Sequence, residues 1–242
     1  MCSFKMKKRL KINGVILFFV ILAVVVFPKV FFRRDRTVYF DEVIEILGIV
    51  FILLGQLFRI SARGYKSEHS QNGRSLITTG PYGAVRNPMY LGILLIGLGI
   101  VFVLFNWWVV IIFLLVFTVR YLLLIFKEEK KLLGLFSQTY QDYCRRVPRI
   151  FPSTRILIGK DIGEYLPLRL SWVRREIGSI LTVLLITLFI ESWEDIRITG
   201  LRLYLHESMT IIITVIIFIF LVFYLIERTE RFRKDVATKG KT

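Results

Sequence analysis

Residues 80–129 read GPYGAVRNPMYLGILLIGLGIVFVLFNWWVVIIFLLVFTVRYLLLIFKEE. Two apolar runs, 89–105 and 107–126, are separated only by Asn106. Each approaches the roughly 20 residues that a membrane-spanning helix needs. One flank is rich in turn residues and carries Arg86 and Tyr90, and the other carries Glu128-Glu129. The stretch therefore reads as a hairpin of two membrane helices whose open ends both bear polar groups. Paired carboxylates against the end of a span carry a desolvation penalty. An arginine and a tyrosine at the neighbouring end are the groups that would offset it, so the mouth of the hairpin is the candidate site.

Composition extends this reading to the whole chain. Of 242 residues, 55% are hydrophobic and 21 are Phe, and the mean hydropathy is +0.62. That is above the usual range of a soluble domain. Further apolar segments lie at about 12–32, 43–60, 177–193 and 209–226, which makes six. The first follows Lys5, Lys7, Lys8, Arg9 and Lys11 like a signal peptide. Its length and the absence of a small-residue cleavage site make it an anchor instead. The expected fold is all-α: a polytopic helical membrane protein with about six transmembrane helices and a cytoplasmic interfacial amphipathic helix. The expected division is a core over 1–152, with the motif region at 75–152, and a C-terminal extension over 153–242.

The net charge is 34 − 18 = +16. In a soluble protein that would point to nucleic acid, but no recognition motif accompanies it. The basic residues lie between apolar blocks, chiefly in 127–176 and after 226, whereas 194–208 is mixed. By the positive-inside rule both termini are expected in the cytoplasm, in an integral membrane protein. The 33–42 segment fits less well, with Arg33, Arg34 and Arg36 on the expected outer side. This orientation puts 80–88 and 127–149 on one face. The chain has two cysteines, Cys2 and Cys144, and two histidines, His69 and His206. That inventory excludes a Cys/His zinc cluster and a disulfide framework, so no metal is expected. It also argues against Ser-His-Asp or Cys-His chemistry.

Within the motif, Gly80-Pro81 marks a turn. Asn87-Pro88 reads as a helix start, Asn capping and Pro at the first helical position. That reading needs no function. Arg86 beside it is suited to bidentate contact with a carboxylate or phosphate. Gly92 and Gly99, seven residues apart on one helix face, permit the close approach of a ligand or, more commonly, of another helix. Glu128-Glu129 followed by Lys130-Lys131 has a plain alternative as a solvated interfacial run. In 130–147, Leu132, Phe136, Tyr140, Tyr143 and Val147 recur at helical spacing between basic residues, the pattern of an amphipathic helix lying on the membrane over the hairpin mouth. Arg120, inside an apolar run, is expected to face the bundle, as a site residue or as the partner of an acid such as Glu45.

GPYGAVRNPMYLG, Glu128-Glu129 and FSQTYQDYCRRVPRIFP (136–152), in this order, resemble the integral-membrane methyltransferase superfamily. That group includes isoprenylcysteine carboxyl methyltransferases and phospholipid N-methyltransferases, and the resemblance covers about residues 75–152. It implies an S-adenosylmethionine-dependent enzyme whose cofactor enters from the cytoplasm and whose lipid or prenylated acceptor enters from the bilayer. By position, Arg86, Asn87, Pro88, Tyr90, Gly92, Glu128 and Glu129 would line the cofactor pocket. Tyr140, Tyr143 and Arg149 would close it. No catalytic residue is assigned. The prenylcysteine enzymes typically have His where this chain has Asn87. Asn-Pro-Met-Tyr is closer to the phospholipid type, and 136–152 is closer to the prenylcysteine type. Methyl transfer from a sulfonium is an in-line displacement that needs alignment and exclusion of water more than a nucleophilic side chain. Two other readings compete: a sterol-type NADPH-dependent membrane reductase, and a non-enzymatic small membrane protein.

Overall fold

The structure, a computed structural model, describes residues 26–32, 38–70, 75–152, 162–198 and 201–239. Most of the expected anchor at 12–32 lies outside them. The described elements are all helical, apart from an isolated bridge between Phe32 and Phe105. They are α1 (Pro28–Phe31), α2 (Val38–His69), α3 (Pro81–Ala84), α4 (Pro88–Leu104), α5 (Trp107–Arg146), α6 (Ile162–Tyr165), α7 (Leu170–Ile198) and α8 (Leu201–Lys239).

Among the described residues, three helical segments are long and apolar enough to cross a membrane: Val43–His69, Trp107–Arg146 and Ile212–Arg231, with mean hydropathies of 2.2, 2.8 and 2.3 over their most apolar stretches. Pro88–Leu104 is a shorter apolar helix. The remaining expected segment, 177–193, falls inside α7.

α2 and α4 form the closest helix pair, and glycines are the cause. A Cβ on Gly99 would meet the Gly48 carbonyl oxygen at 2.4 Å, and one on Gly92 would meet that of Gly55 at 2.8 Å. The antiparallel helices thus interlock through two reciprocal glycine pairs, the close backbone approach that small residues allow in membranes. α7 and α8 complete the bundle. Leu57 and Ile60 of α2 share a core with Leu168, Trp172 and Leu225. The Ser61 hydroxyl donates to the Pro167 carbonyl at 2.7 Å. At the other end, Asn106 closes the α4–α5 turn, its side-chain amide donating to the carbonyls of Val30 and Phe32 at 3.0 and 3.1 Å.

Two expectations are corrected. The expected amphipathic segment continues α5 to Arg146, and the backbone breaks at Ser137 (φ 41°, ψ −114°), which divides α5 into two helical stretches. The sequence from Phe126 to Gln138 contains no proline and one glycine, so nothing stops propagation sooner. Glu128-Glu129 consequently sit inside α5, and no helix C-terminus opposes their charge. Arg120 is exposed on α5 instead of facing the bundle, while Glu45 is buried on α2.

Candidate functional site

The turn at 80–88 depends on its first glycine. Gly80 adopts φ +59°, a conformation that L side chains rarely take, and the Tyr65 ring lies 2.7 Å from where a Cβ would stand. α3 follows for one turn, and Val85 turns the chain into α4. The Arg86 amide donates to the Pro148 carbonyl at 2.8 Å. The Asn87 side-chain amide donates to the Arg149 carbonyl at 3.1 Å. Asn87 therefore occupies the N-cap position of α4 but makes no capping hydrogen bond. Its φ/ψ of −128°/61° departs from the extended cap conformation. Its side chain ties the turn to the segment after α5 instead.

A carboxylate organises this meeting of segments. Glu129 receives Arg86 Nη1 at 2.9 Å and both Arg149 Nε, at 3.1 Å, and Nη2, at 2.9 Å. Two arginines from different segments thus share one largely buried carboxylate, whose side chain is 14% exposed. The hydrogen bond from Arg149 to Glu129 raises the guanidinium pKa above its already high range, and Arg149 also lies 4.9 Å from the centre of the Phe126 ring. Arg86 Nη1 further donates to Cys144 Sγ at 3.0 Å.

Glu128 differs. It accepts one phenolic hydrogen bond, from Tyr90 at 2.8 Å, and is exposed. Tyr90 is set by Tyr121, edge-on at 5.2 Å, and Tyr121 stacks on Phe117 at 3.9 Å.

These groups border a cavity of about 510 Å3, within the usual range for small-molecule sites. Arg86, Asn87, Pro88, Tyr90, Glu128, Glu129, Tyr140 and Tyr143 all line it. Two expected residues do not. Gly92 packs on α2, and Arg149 stands behind Glu129. The cavity also draws in residues that sequence reasoning missed: Lys66 from α2, Ser70 just after it, Ser75, Tyr82 and Lys131. For Tyr82 the signal was present, since it lies inside the quoted motif. Lys66 and Ser70 reach the site only through the packing of α2, which no local pattern marks. The Tyr143 hydroxyl donates to the Tyr82 carbonyl at 2.7 Å, joining the last turns of α5 to α3. Burial, then the charge of Glu128, pushes the Tyr82 phenol from 10.0 to about 12. The ring therefore stays neutral at any physiological pH.

The arrangement suits a cationic organic ligand. Four tyrosines, at 82, 90, 140 and 143, surround the space, and aromatic faces attract sulfonium or ammonium groups. Glu128 has accepting capacity left for hydroxyls or an ammonium. Lys66 and Lys131 at the edge could meet a carboxylate. Among the described residues, no group of three or more His, Cys, Asp or Glu side chains comes together as a metal site.

No solved structure matches the chain. A cobalt-zinc-cadmium resistance protein, CzcN, of Cupriavidus metallidurans is 27% identical over 162 residues, which is 67% of this chain and 72% of that protein. Residues 40–139 match the family model described as phospholipid methyltransferase, which agrees with the resemblance carried by the motifs and supports a methyltransferase in the membrane.

Proposed function

We propose that the cavity binds S-adenosylmethionine and that the protein transfers its methyl group to a lipid or prenylated acceptor held in the bilayer. The observation that carries this reading is the unequal environment of the two glutamates. Glu129 is neutralised by Arg86 and Arg149, while Glu128 faces the cavity beside four tyrosines. A carboxylate with free lone pairs suits the ribose hydroxyls or the ammonium group of such a cofactor. The tyrosine rings suit its sulfonium. When bound, the cofactor supplies an electrophilic methyl group.

The chain's own contribution is alignment and removal of water. Tyr82, Tyr90, Tyr140 and Tyr143 form the wall, with Pro88 at the base. Arg86, Asn87 and Arg149 hold the wall together through Glu129 and the 148–149 carbonyls, and Gly92 sets the distance between α4 and α2. The cofactor would enter from the polar, cytoplasmic end. The acceptor would enter from the lipid side, where α5 is almost uncovered by the rest of the protein. A sterol-type reductase fits less well, because Glu128 would repel the 2′-phosphate of NADPH.

Calorimetry of the detergent-purified protein with S-adenosylhomocysteine and with NADPH separates the readings. The first should bind, and Glu128→Ala should weaken it at least tenfold. Binding of NADPH alone would overturn the proposal. Radiolabelled methyl transfer into a total membrane extract then identifies the acceptor class.

A further inference from the structure

A smaller cavity of about 240 Å3 opens between α2 and α7, on the face of α2 adjoining the one that borders the large cavity. Its walls include Ile60, Arg63 and Ser67 of α2 and Trp172, Arg175 and Glu176 of α7. The charges here do not balance. Glu176 accepts from Arg63 at 2.5 Å and stands 3.6 Å from Arg59, so one carboxylate already answers two guanidiniums. Arg175 has no ion-pair or hydrogen-bond partner among the described residues.

The neutral donors of the cleft are engaged elsewhere. The Ser67 hydroxyl donates to the Gly64 carbonyl at 2.8 Å, and the Trp172 indole N–H to Glu68 at 2.6 Å. The donors left for a ligand are guanidinium N–H groups, and these favour an anion over a neutral hydroxylated group. The guanidinium fork matches phosphate geometry in a bidentate manner. The Trp172 ring and Ile60 add an apolar wall beside the charge. Basic pockets between membrane helices are the setting in which phospholipid headgroups are held.

We propose that the α2–α7 cleft binds a phosphate group, with Arg175 and Arg63 as its ligands. The phosphate could belong to an anionic phospholipid or be free in solution, and the two sources are separable. This site is independent of the proposed methyl transfer, since none of its residues borders the large cavity. A purely structural role, with the arginines only docking α7 on α2, accounts for Arg59 and Arg63, whereas Arg175 is exposed at the cleft with its donors turned to solvent or to a ligand.

The test is native mass spectrometry of the detergent-purified full chain with phosphatidylglycerol and with phosphatidylcholine of matched acyl chains, beside calorimetry with inorganic phosphate. Phosphatidylglycerol should be retained at least tenfold more strongly than phosphatidylcholine. Arg175→Gln, which breaks no ion pair, should reduce that retention at least fivefold, while Arg174→Gln, one position outside the cleft, should leave it unchanged. Inorganic phosphate binding with the same dependence on Arg175 assigns a soluble anion, and lipid retention without it assigns a headgroup. Equal effects of the two variants, or equal retention of both lipids with no phosphate binding, would overturn the site.

Discussion

Two guanidinium groups converge on Glu129, whereas Glu128 takes a single phenolic hydrogen bond, so the same substitution at adjacent positions should have different consequences. Glu129→Gln leaves Arg86 and Arg149 without their counter-charge and should lower stability by roughly 2–3 kcal/mol, less than a fully buried pair would lose. Glu128→Gln should leave the melting temperature nearly unchanged and weaken S-adenosylhomocysteine binding instead. Thermal melts and calorimetry on both variants check this, and equal losses of stability would contradict it. Gln56 is a further point of stress. It is fully buried in α2, and neither side-chain polar atom has a partner among the described residues. Replacing an unsatisfied amide by an apolar group of similar size removes a penalty of about 1–3 kcal/mol. Gln56→Met should therefore raise the melting temperature. Tyr82 supplies a pH dependence. Its folded pKa of about 12 lies above the ordinary 10.0 of a tyrosine, so its contribution is complete below pH 10 and is lost as pH rises through about 12. Melting temperatures of the wild type should fall across that window, and those of Tyr82→Phe should fall less.

At the scale of elements, the α2–α4 pair and the bend in α5 position everything the site uses. Gly99→Ala would drive a methyl into the Gly48 carbonyl, and overpacking of this kind costs about 1–3 kcal/mol. Because the backbone cannot yield cheaply, the loss should appear as a lowered melting temperature together with weakened ligand binding. Ser137 is different, since its φ of 41° is a conformation in which glycine is at ease. Strain of about 1–3 kcal/mol there outweighs the added unfolded-state freedom of glycine. Ser137→Gly should be stabilising, and a lower melting temperature would count against a strained bend. The helical segments were legible because apolar runs bounded by Asn106 and Gly80-Pro81 leave few alternatives. The bend was not, because a serine among helix formers carries no breaker signal. For Asn87 the helix start was legible and the partner of its side chain was not, for a related reason. Asn-Pro marks a cap by residue type, but the acceptor that captures the amide is a carbonyl sixty-two positions away.

For the molecule as a whole, the placement of 80–88 beside 127–149 was legible from helix connectivity and charge, since two helices joined by a short turn return their free ends to the same side. The contribution of α2 to the cavity was not, because Lys66 and Ser70 arrive there only through the interlock of Gly48 and Gly55 with α4. The positive-inside pattern predicts that the cavity and the end of α8 share the cytoplasmic side. In a background lacking Cys2 and Cys144, cysteines introduced at Arg145 and Glu230 should resist an impermeant thiol reagent in intact cells and react after lysis. Labelling of either in intact cells would reverse the orientation. The Glu129 cluster has a consequence for biosynthesis. Its arginines lie 43 residues before it and 20 after it, so a nascent chain can insert the α4–α5 hairpin before residue 149 has been made, yet cannot close the pocket. The proposed ligand competence would then be acquired after insertion, and a ribosome stalled short of Arg149 would hold a membrane-integrated chain with an open, positively charged turn and an unclosed cavity.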